Sequence, residues 1–135
     1  QPLQRSFDLA VWITHYQRCT GKALSEQARH ARILRSLGTR AQLWLWYSAA
    51  EAEPIGCALA VEDGPYLGLF DLAILPSQRG CGHGYAFMGQ ILAHARQHAY
   101  QSAYLQVLED NHPALALYQR LGFSFCYRYH YRLAP

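Results

Sequence analysis

The sequence lacks the features of membrane, secreted and metal-binding proteins. No apolar run in its 135 residues is long enough to span a bilayer. The chain does not open with the basic and then apolar order of a signal peptide. The cysteines are widely spaced, with no C-x-x-C pair and no paired histidine spacing: Cys19, Cys57, Cys81 and Cys126. We therefore expect a cytoplasmic protein with reduced thiols, without a metal site, a disulfide framework or a membrane partner.

Charged residues are also few, at 16% of the chain, and the net charge is only +3. The basic residues are scattered, and the one visible cluster consists of Arg29, Arg32 and Arg35. A spacing of three is typical of a solvated helix face. Nucleic-acid binding would require a denser basic stripe or aromatic platforms among the basic residues. The sequence therefore predicts no nucleic-acid partner.

Hydrophobic residues are plentiful, at 51% of the sequence, and they are spread along the whole chain. Their number suits one compact domain with a core of its own. There is no low-complexity segment, internal repeat or linker that would mark a boundary. We expect a single domain over residues 1–135, either complete in itself or the catalytic part of a longer protein.

The first half of the chain predicts one helix followed by three strands. Residues 25–37 have helical spacing of apolar residues, with Ser25 as the expected cap and Gly38 as the expected stop. The aromatic-rich segment 41–50 predicts a strand, and residues 55–76 predict two strands that turn at Asp63 and Gly64. Residues 8–22 suit no element clearly, and no first strand is evident before them.

The second half predicts helix, strand, helix and strand. Apolar residues recur at helical spacing from Phe87 to Ala99, and residues 102–108 alternate as in a strand. Asn111 and Gly122 bracket a short helix as cap and stop, and one aromatic-rich strand follows. A strand, a glycine loop, a helix and a strand in this order predict a right-handed parallel crossover. The fold class is α/β or α+β, with a mixed sheet.

Glycine occupies every second position in the segment QRGCGHGYAF, at Gly80, Gly82 and Gly84. A loop between a strand and a helix presents unpaired N–H groups and the positive end of the helix dipole to one point. Glycine lets a phosphate approach the backbone and permits positive φ angles. No Lys is present for a Walker loop, and Tyr85 stands where a dinucleotide fingerprint needs glycine. The segment therefore predicts a phosphate site of another class.

Two motifs identify that class. Arg79, Gly82 and Gly84 satisfy the pattern Arg-x-x-Gly-x-Gly, and here the sequence resembles the GNAT family of N-acetyltransferases, whose signature loop holds the pyrophosphate of acetyl-CoA. A second family motif, Asn-x-x-Ala-x-x-Leu-Tyr-x-x-x-Gly-Phe, is matched at Asn111, Ala114, Leu117, Tyr118, Gly122 and Phe123. The resemblance covers residues 55–123 and implies a mostly antiparallel sheet with a central, splayed parallel strand pair flanked by helices.

The resemblance also implies a donor site for acetyl-CoA as co-substrate. The pantetheine arm would enter the splay and bond to main-chain groups of residues 73–75, while the glycine loop would hold the pyrophosphate. The cofactor-binding residues implied in this way are Ala73, Ile74, Leu75, Arg79, Gly80, Cys81, Gly82, His83, Gly84, Asn111 and Tyr118. No metal is implied.

The implied chemistry is direct attack of a neutral amine on the acetyl carbonyl. Tyr118 matches the family position of the acid that protonates the thiolate. The glutamate that often serves as base in protein N-terminal acetyltransferases of this family is replaced by Gln106, which cannot accept a proton. Asp71 or Glu109 could take its place, as could a water relay. His83 and His130 are further candidates; we expect the His83 side chain to face solvent.

The ends of the chain depart from the family. No first strand is evident, and the residues after Phe123 leave room for one long strand but not for a terminal hairpin. A homodimer or a missing N-terminal domain would complete such a fold. The sequence thus predicts an N-acetyltransferase acting on a primary amine of a small molecule. A protein or peptide acceptor and a non-catalytic CoA-binding module stay open as alternatives.

Overall fold

The computed structural model describes residues 2–22, 24–49, 52–106, 111–127 and 130–133. Two short 3-10 turns, at Gly38–Arg40 and Pro76–Gln78, join longer elements. The helices are α1 (Leu9–Thr20), α2 (Leu24–Leu37), α3 (His83–Gln97) and α4 (His112–Arg120). The strands are β1 (Leu3–Ser6), β2 (Ala41–Trp46), β3 (Gly56–Asp63), β4 (Tyr66–Ile74), β5 (Ser102–Gln106), β6 (Ser124–Tyr127) and β7 (His130–Leu133).

These strands form one mixed sheet in the order β1-β2-β3-β4-β5-β7-β6. Neighbouring strands are antiparallel except for β4 and β5, which are parallel and are connected through α3. The predicted fold class, with a parallel pair at the centre of a mostly antiparallel sheet, is confirmed. The helix predicted at residues 25–37 is also confirmed, although it begins at Leu24, so Ser25 is not its cap.

The described pairing of β4 with β5 stops short of the glycine loop. Residues 66–69 of β4 pair with residues 102–105 of β5, and the last pair joins Leu69 to Leu105. Strand β4 continues to Ile74, paired with β3. Beyond Leu69, the edge of β4 that faces β5 has no strand partner among the described residues, which include β5 as far as Gln106.

A β-bulge in β4 lies just beyond its last described pair with β5. Cys57 of β3 pairs with Ala73, whereas Leu59 pairs with Phe70, so two residues of β4 lie opposite one residue of β3. Asp71, at the bulge, has a φ of 56°, a left-handed conformation that is uncommon outside glycine. Because a bulge interrupts the two-residue alternation of a strand, it changes the face on which the following side chains lie.

Helices cover both faces of the sheet. Side chains of α3, including the fully buried Phe87 and Ile91, pack on one face together with Leu67 and Leu105. Helices α1 and α2 cover the other face, where Trp12 is fully buried and donates from its indole nitrogen to the main-chain oxygen of Trp44 over 3.1 Å. The splay and the bulge thus lie between two packed helix layers.

The N-terminal prediction was wrong, since both β1 and α1 are present. Strand β1 is a polar edge strand held by main-chain pairing to β2, so it carries no apolar alternation that would reveal it. Helix α1 did have signals: Asp8 caps it by accepting from the Val11 amide, and Gly21 ends it with a φ of 69°.

The C-terminal prediction was also wrong. Residues 124–127 and 130–133 form two antiparallel strands, β6 and β7, and β7 inserts between β6 and β5. A hairpin fits because each strand needs only four residues. The aromatic alternation runs through both strands without a glycine or proline to mark the turn, which is why the segment suggested one long strand.

Candidate active site

The end of β4, the glycine loop and α4 enclose a cleft of about 540 Å³. Most of the residues that the sequence assigned to the donor line this cleft, namely Ala73, Ile74, Arg79, Gly80, Gly82, His83, Gly84, Asn111 and Tyr118. Leu75 and Cys81 do not line it. The fold therefore brings both motifs, which begin 32 positions apart in the chain at Arg79 and Asn111, to one concave surface.

The glycine loop forms the N-terminal end of α3. Gly80 and Gly82 have φ angles of 78° and 82°, which glycine adopts without strain. The amide of Ala86 donates to Gly82 over 3.1 Å. The N–H groups of residues 83–85 precede this bond, so helix geometry leaves them without partners inside the helix. The cleft thus has main-chain donors and a positive helix end at one wall, an arrangement that suits phosphate.

The Arg79 side chain bonds within the protein. Its Nε donates to the main-chain oxygen of Ile74 over 3.0 Å, and its Nη2 donates to the main-chain oxygen of Cys19 over 2.9 Å. The guanidinium thereby ties the glycine loop to the ends of β4 and α1. These two bonds hold the glycine loop in its conformation.

Some main-chain groups at the end of β4 already make hydrogen bonds within the protein. The amide of Leu75 donates to Ile55 over 2.8 Å, and its carbonyl accepts from Gln78 over 2.9 Å. Since Leu75 also lies outside the cleft wall, it is the weakest of the three main-chain positions that the sequence assigned to the pantetheine arm. The Ala73 and Ile74 positions line the cleft and lie beyond the last described pair of β4 with β5.

His83 does not face solvent, so that expectation was wrong. Its ring is half-buried, and Nδ1 accepts a hydrogen bond of 3.3 Å from the indole nitrogen of Trp46 on β2. An indole can only donate, so Nδ1 is the acceptor and the ring hydrogen of the neutral form lies on Nε2. His83 lies in the first turn of α3 and lines the cleft from there.

Two further residues of the predicted donor site have simple local roles. Asn111 caps α4, because its side-chain oxygen accepts from the Ala114 amide over 3.3 Å, as expected. It also lines the cleft. Cys81 is an exposed free thiol between two glycines that line the cleft, so any contribution from it would come through its backbone.

Tyr118 lies where two cavities meet. Besides the large cleft, it lines a smaller cavity of about 220 Å³ together with Leu69, Phe70, Asp71, Leu72 and Met88. Burial raises the pKa of Tyr118, so its hydroxyl keeps its proton over a wider pH range. The hydroxyl has no hydrogen-bond partner within the part of the chain that the structure describes. It is thus available to a ligand from either cavity.

Asp71 is held by two side chains from the opposite helix layer. Nε2 of His30, on α2, lies 2.7 Å from one carboxylate oxygen, and the Tyr16 hydroxyl, on α1, donates to the other over 3.4 Å. Burial raises the pKa of Tyr16, and the charge of Asp71 raises it further, so Tyr16 is a lasting donor. The carboxylate is half-buried, and Asp71 is one of the residues that line the small cavity with Tyr118.

Glu109 lies outside the described residues, as do the side chains of Gln106 and His130. Sequence reasoning missed His30, whose only signal was a histidine between the exposed Arg29 and the buried Ala31 on an amphipathic helix.

Among the described residues, no group of three or more histidine, cysteine, aspartate or glutamate residues could hold a metal ion. No helix in the described ranges is long and apolar enough to cross a bilayer. Arg29, Arg32 and Arg35 are all exposed, as a solvated helix face requires.

Residues 9–123 match the family model of the Acetyltransferase (GNAT) family, which covers most of the chain. A ribosomal-protein alanine N-acetyltransferase from Haemophilus influenzae is 38% identical over 56 residues, 42% of this chain and 38% of that protein. Streptothricin acetyltransferase from Streptomyces lavendulae is 35% identical over 60 residues, 44% of this chain and 32% of that protein. The chain thus spans less than half of the length of the curated relatives it matches.

Solved structures match over a larger share of the chain. The crystal structure of the ribosomal-protein alanine N-acetyltransferase from Escherichia coli superimposes with a TM-score of 0.79 at 19% identity. That match covers 98% of this chain and 92% of the other. At such low identity it establishes the fold.

Proposed function

The chain belongs to the GNAT acetyltransferase family, and from this premise we propose that it transfers the acetyl group of acetyl-CoA to a primary amine of a small molecule. One observation carries the proposal. Tyr118 lines both a cleft suited to a phosphate-bearing donor and a small cavity that is also lined by Asp71. Acetyl transfer to an amine needs an acid and a base near the reacting atoms.

The cleft of about 540 Å³ suits the donor. Two left-handed glycines and the free amides of the first turn of α3 would hold the pyrophosphate, because no Cβ atom keeps it from the backbone. Main-chain groups of Ala73 and Ile74, beyond the last described pair of β4 with β5, would bond to the amide groups of the pantetheine arm. These residues bind and orient the donor, and the acetyl group would reach the splay beside Tyr118.

The reaction divides between two side chains. Asp71 accepts a proton from the acceptor ammonium, which becomes the neutral nucleophile. The amine nitrogen forms a bond to the acetyl carbon, the carbon–sulfur bond breaks, and the Tyr118 hydroxyl gives its proton to the departing thiolate. Burial, which raises the pKa of Tyr118, keeps this acid protonated at neutral pH. The nitrogen of the new amide then loses its second proton, which restores the Tyr118 hydroxyl through solvent, and Asp71 returns the first proton to solvent, so that the net release is one proton per acetyl group transferred.

Two observations favour a small acceptor. The cavity next to Tyr118 measures only about 220 Å³, and Gln106 replaces the base that many protein N-terminal acetyltransferases carry. The similarity to streptothricin acetyltransferase points the same way. A peptide α-amine is the second candidate, because two of the similar proteins are ribosomal-protein alanine N-acetyltransferases. For domain organisation we propose one acetyltransferase domain, alone or as the catalytic part of a longer chain.

Calorimetry with acetyl-CoA, followed by measurement of free-thiol release, tests the proposal. The acceptor panel contains alkylamines, spermidine, streptothricin and a peptide that begins with alanine. Thiol release with a small amine supports the proposal, and release with the peptide alone favours the second candidate. Acetyl-CoA binding without release on any acceptor would indicate a non-catalytic CoA-binding module. Absence of acetyl-CoA binding would overturn the donor site.

A further inference from the structure

The ring of His83 is held on one side by the core of the protein. Its Nδ1 accepts a hydrogen bond of 3.3 Å from the indole nitrogen of Trp46 on β2. Trp46 is only 6% exposed, and its ring stacks on the fully buried ring of Phe87 with 5.4 Å between the centroids. Because the indole cannot turn without disturbing this packing, its N–H keeps one direction. The hydrogen bond therefore fixes both the orientation of the imidazole and its tautomer.

The other ring nitrogen of His83 is a hydrogen-bond donor without a partner. A neutral imidazole whose Nδ1 accepts carries its hydrogen on Nε2. In the part of the chain that the structure describes, Nε2 forms no hydrogen bond, and it is not one of the buried polar atoms that lack a partner. Nε2 is therefore accessible, although the ring as a whole is half-buried. It can donate to a bound ligand.

The position of His83 in α3 brings this donor to the end of the helix. His83 is the first residue of α3, and helical side chains lean toward the N-terminal end of their helix. The unpaired amides of residues 83–85 lie at the same end. The space before the loop is open, because a Cβ atom at Gly80 or Gly82 would meet no atom within 4 Å. His83 and both glycines line one cleft.

The same cleft offers little other side-chain charge to an anion. Among the described residues that line it, Arg79 is the only lysine or arginine. Its Nε and Nη2 already donate to the main-chain oxygens of Ile74 and Cys19. A hydrogen bond to an ionised acceptor is about twice as strong as one between neutral groups. A fixed, neutral N–H beside the main-chain amides is therefore of use to a phosphate ligand.

We propose that the His83 side chain binds the diphosphate of the donor through Nε2–H, and that Trp46 is the positioning residue that keeps the hydrogen on Nε2. His83 stands at a position that the glycine-loop motif leaves variable, and Trp46 lies on a different strand, outside the motif. The site thereby favours a thioester that carries a diphosphate over one that ends before it. This inference rests on the proposed function, because it concerns the donor of the same reaction.

Two substitutions of His83 test its contact with the diphosphate. In His83→Gln an amide nitrogen can reach the former place of Nε2, whereas the shorter amide of His83→Asn reaches only that of Nδ1. Calorimetry at about pH 8, where a histidine side chain is ordinarily neutral, measures the affinity for acetyl-CoA. We expect His83→Asn to bind acetyl-CoA at least about tenfold more weakly than the wild type, and His83→Gln to stay within about threefold of it.

A truncated donor shows which part of acetyl-CoA the histidine contacts. S-acetylpantetheine has the same thioester arm and no phosphate. Its affinity is measured by displacement of acetyl-CoA from each protein. The wild type, His83→Gln and His83→Asn should bind this truncated donor alike. Weaker binding of both donors by His83→Asn would overturn the inference, because it would mean that the ring supports the cleft without contacting the diphosphate.

Trp46→Phe keeps a ring that can stack on Phe87 and removes the indole donor. Its matched control is Trp44→Phe on the same strand, which removes a buried indole N–H that donates to Gln42. Nitrogen NMR of labelled protein should show one tautomer of His83 in the wild type and the control, and exchange between two tautomers in Trp46→Phe. Acetyl-CoA should bind Trp46→Phe about threefold more weakly and the control unchanged.

A double variant separates positioning from a structural role. If Trp46 acts through His83, Trp46→Phe adds no further loss of acetyl-CoA affinity to His83→Asn. A structural role of Trp46 would weaken binding equally in both backgrounds. Should the double variant fail to fold, S-acetylpantetheine decides the question in Trp46→Phe alone: unchanged affinity supports positioning, and a loss equal to that for acetyl-CoA overturns it.

Two further results would overturn the inference: wild-type affinity of His83→Asn for acetyl-CoA, or a single unchanged tautomer in Trp46→Phe. Failure of the proposed function has a different signature. Binding of acetyl-CoA that depends on His83, without thiol release on any acceptor, would sink the transferase proposal and leave the donor contact standing. Thiol release by His83→Asn with the wild-type KM for acetyl-CoA would do the reverse.

Discussion

The Nη2 atom of Arg79 donates a hydrogen bond of 2.9 Å to the main-chain oxygen of Cys19, a residue 60 positions earlier in the chain. Together with the bond from Nε to Ile74, it joins the glycine loop to the last turn of α1 and to the end of β4. The sequence motif predicts that Arg79 binds the donor. The structure adds that its guanidinium is already engaged with two protein carbonyls, so we expect it to act on the donor by holding the loop in shape.

Arg79→Lys should therefore weaken acetyl-CoA binding and stability together. A lysine ammonium is a single point of charge and cannot span the two carbonyls as the guanidinium fork does. Loss of one of these bonds is expected to lower the free energy of unfolding by about 1 kcal/mol. Urea unfolding and calorimetry with acetyl-CoA measure the two effects. Weaker binding with unchanged stability would instead indicate a direct contact between Arg79 and the phosphates.

Gly84→Ala tests whether the donor phosphates approach the backbone of α3. A Cβ atom at Gly84 would meet only Leu117 Cδ2, at 3.6 Å, which is ordinary contact, so the fold itself tolerates alanine. Alanine also favours helices over glycine by up to about 1 kcal/mol. We expect unchanged or higher stability, with at least about tenfold weaker binding of acetyl-CoA by calorimetry, since a methyl group would occupy the phosphate position.

The matched control is Gly89→Ala on the same helix, where the new Cβ lies 3.9 Å from Leu121 Cδ2. It makes the same chemical change away from the cleft and should leave acetyl-CoA binding unchanged. Equal affinity of the two variants would refute the role of the first turn of α3.

Tyr118→Phe removes the proposed acid and keeps the ring that packs against Phe123. We expect kcat to fall by about a hundredfold, while the Kd for acetyl-CoA changes by less than about threefold. Because burial raises the pKa of Tyr118 above the ordinary value of about 10, its acid form persists and wild-type kcat should show no alkaline decline below about pH 10 from this group. Steady-state kinetics between pH 6 and 10 checks both statements. A variant with full turnover would exclude Tyr118 as the acid.

A feature can be predicted from the sequence when the residues that form it are close together in the chain. The glycine loop and the Asn111 cap are local patterns, and the structure has them where the sequence predicted them. The environment of His83 is not local, because its partner Trp46 comes from a different strand. The same is true of His30 and Asp71, which are 41 positions apart and meet at the bulge in β4. Tertiary contacts of this kind leave no spacing signal in one sequence.

Elements without an apolar pattern escape prediction for a related reason. Strand β1 is formed by main-chain pairing with β2 and has only polar residues after Leu3. The division of the last segment into β6 and β7 is likewise set by the free edge of β5, which pairs with β7. In both cases the partner strand, and not the segment's own composition, decides the structure.

Ala99 offers a test of the backbone far from the cleft. It follows the end of α3 with a φ of 64°, at the position where helices favour glycine, and its side chain is exposed. Ala99→Gly removes the clash of the Cβ atom in this left-handed conformation, at the expense of a more flexible unfolded chain. The balance should raise the free energy of unfolding by about 0.5–1 kcal/mol in urea unfolding, without a change in acetyl-CoA binding.

The same substitution at Ala10, an exposed position within α1, should lower the free energy of unfolding by about 1 kcal/mol, because there glycine weakens a right-handed helix. Opposite signs for one chemical change would establish that the backbone conformation sets the effect, and a loss of stability in both variants would contradict it.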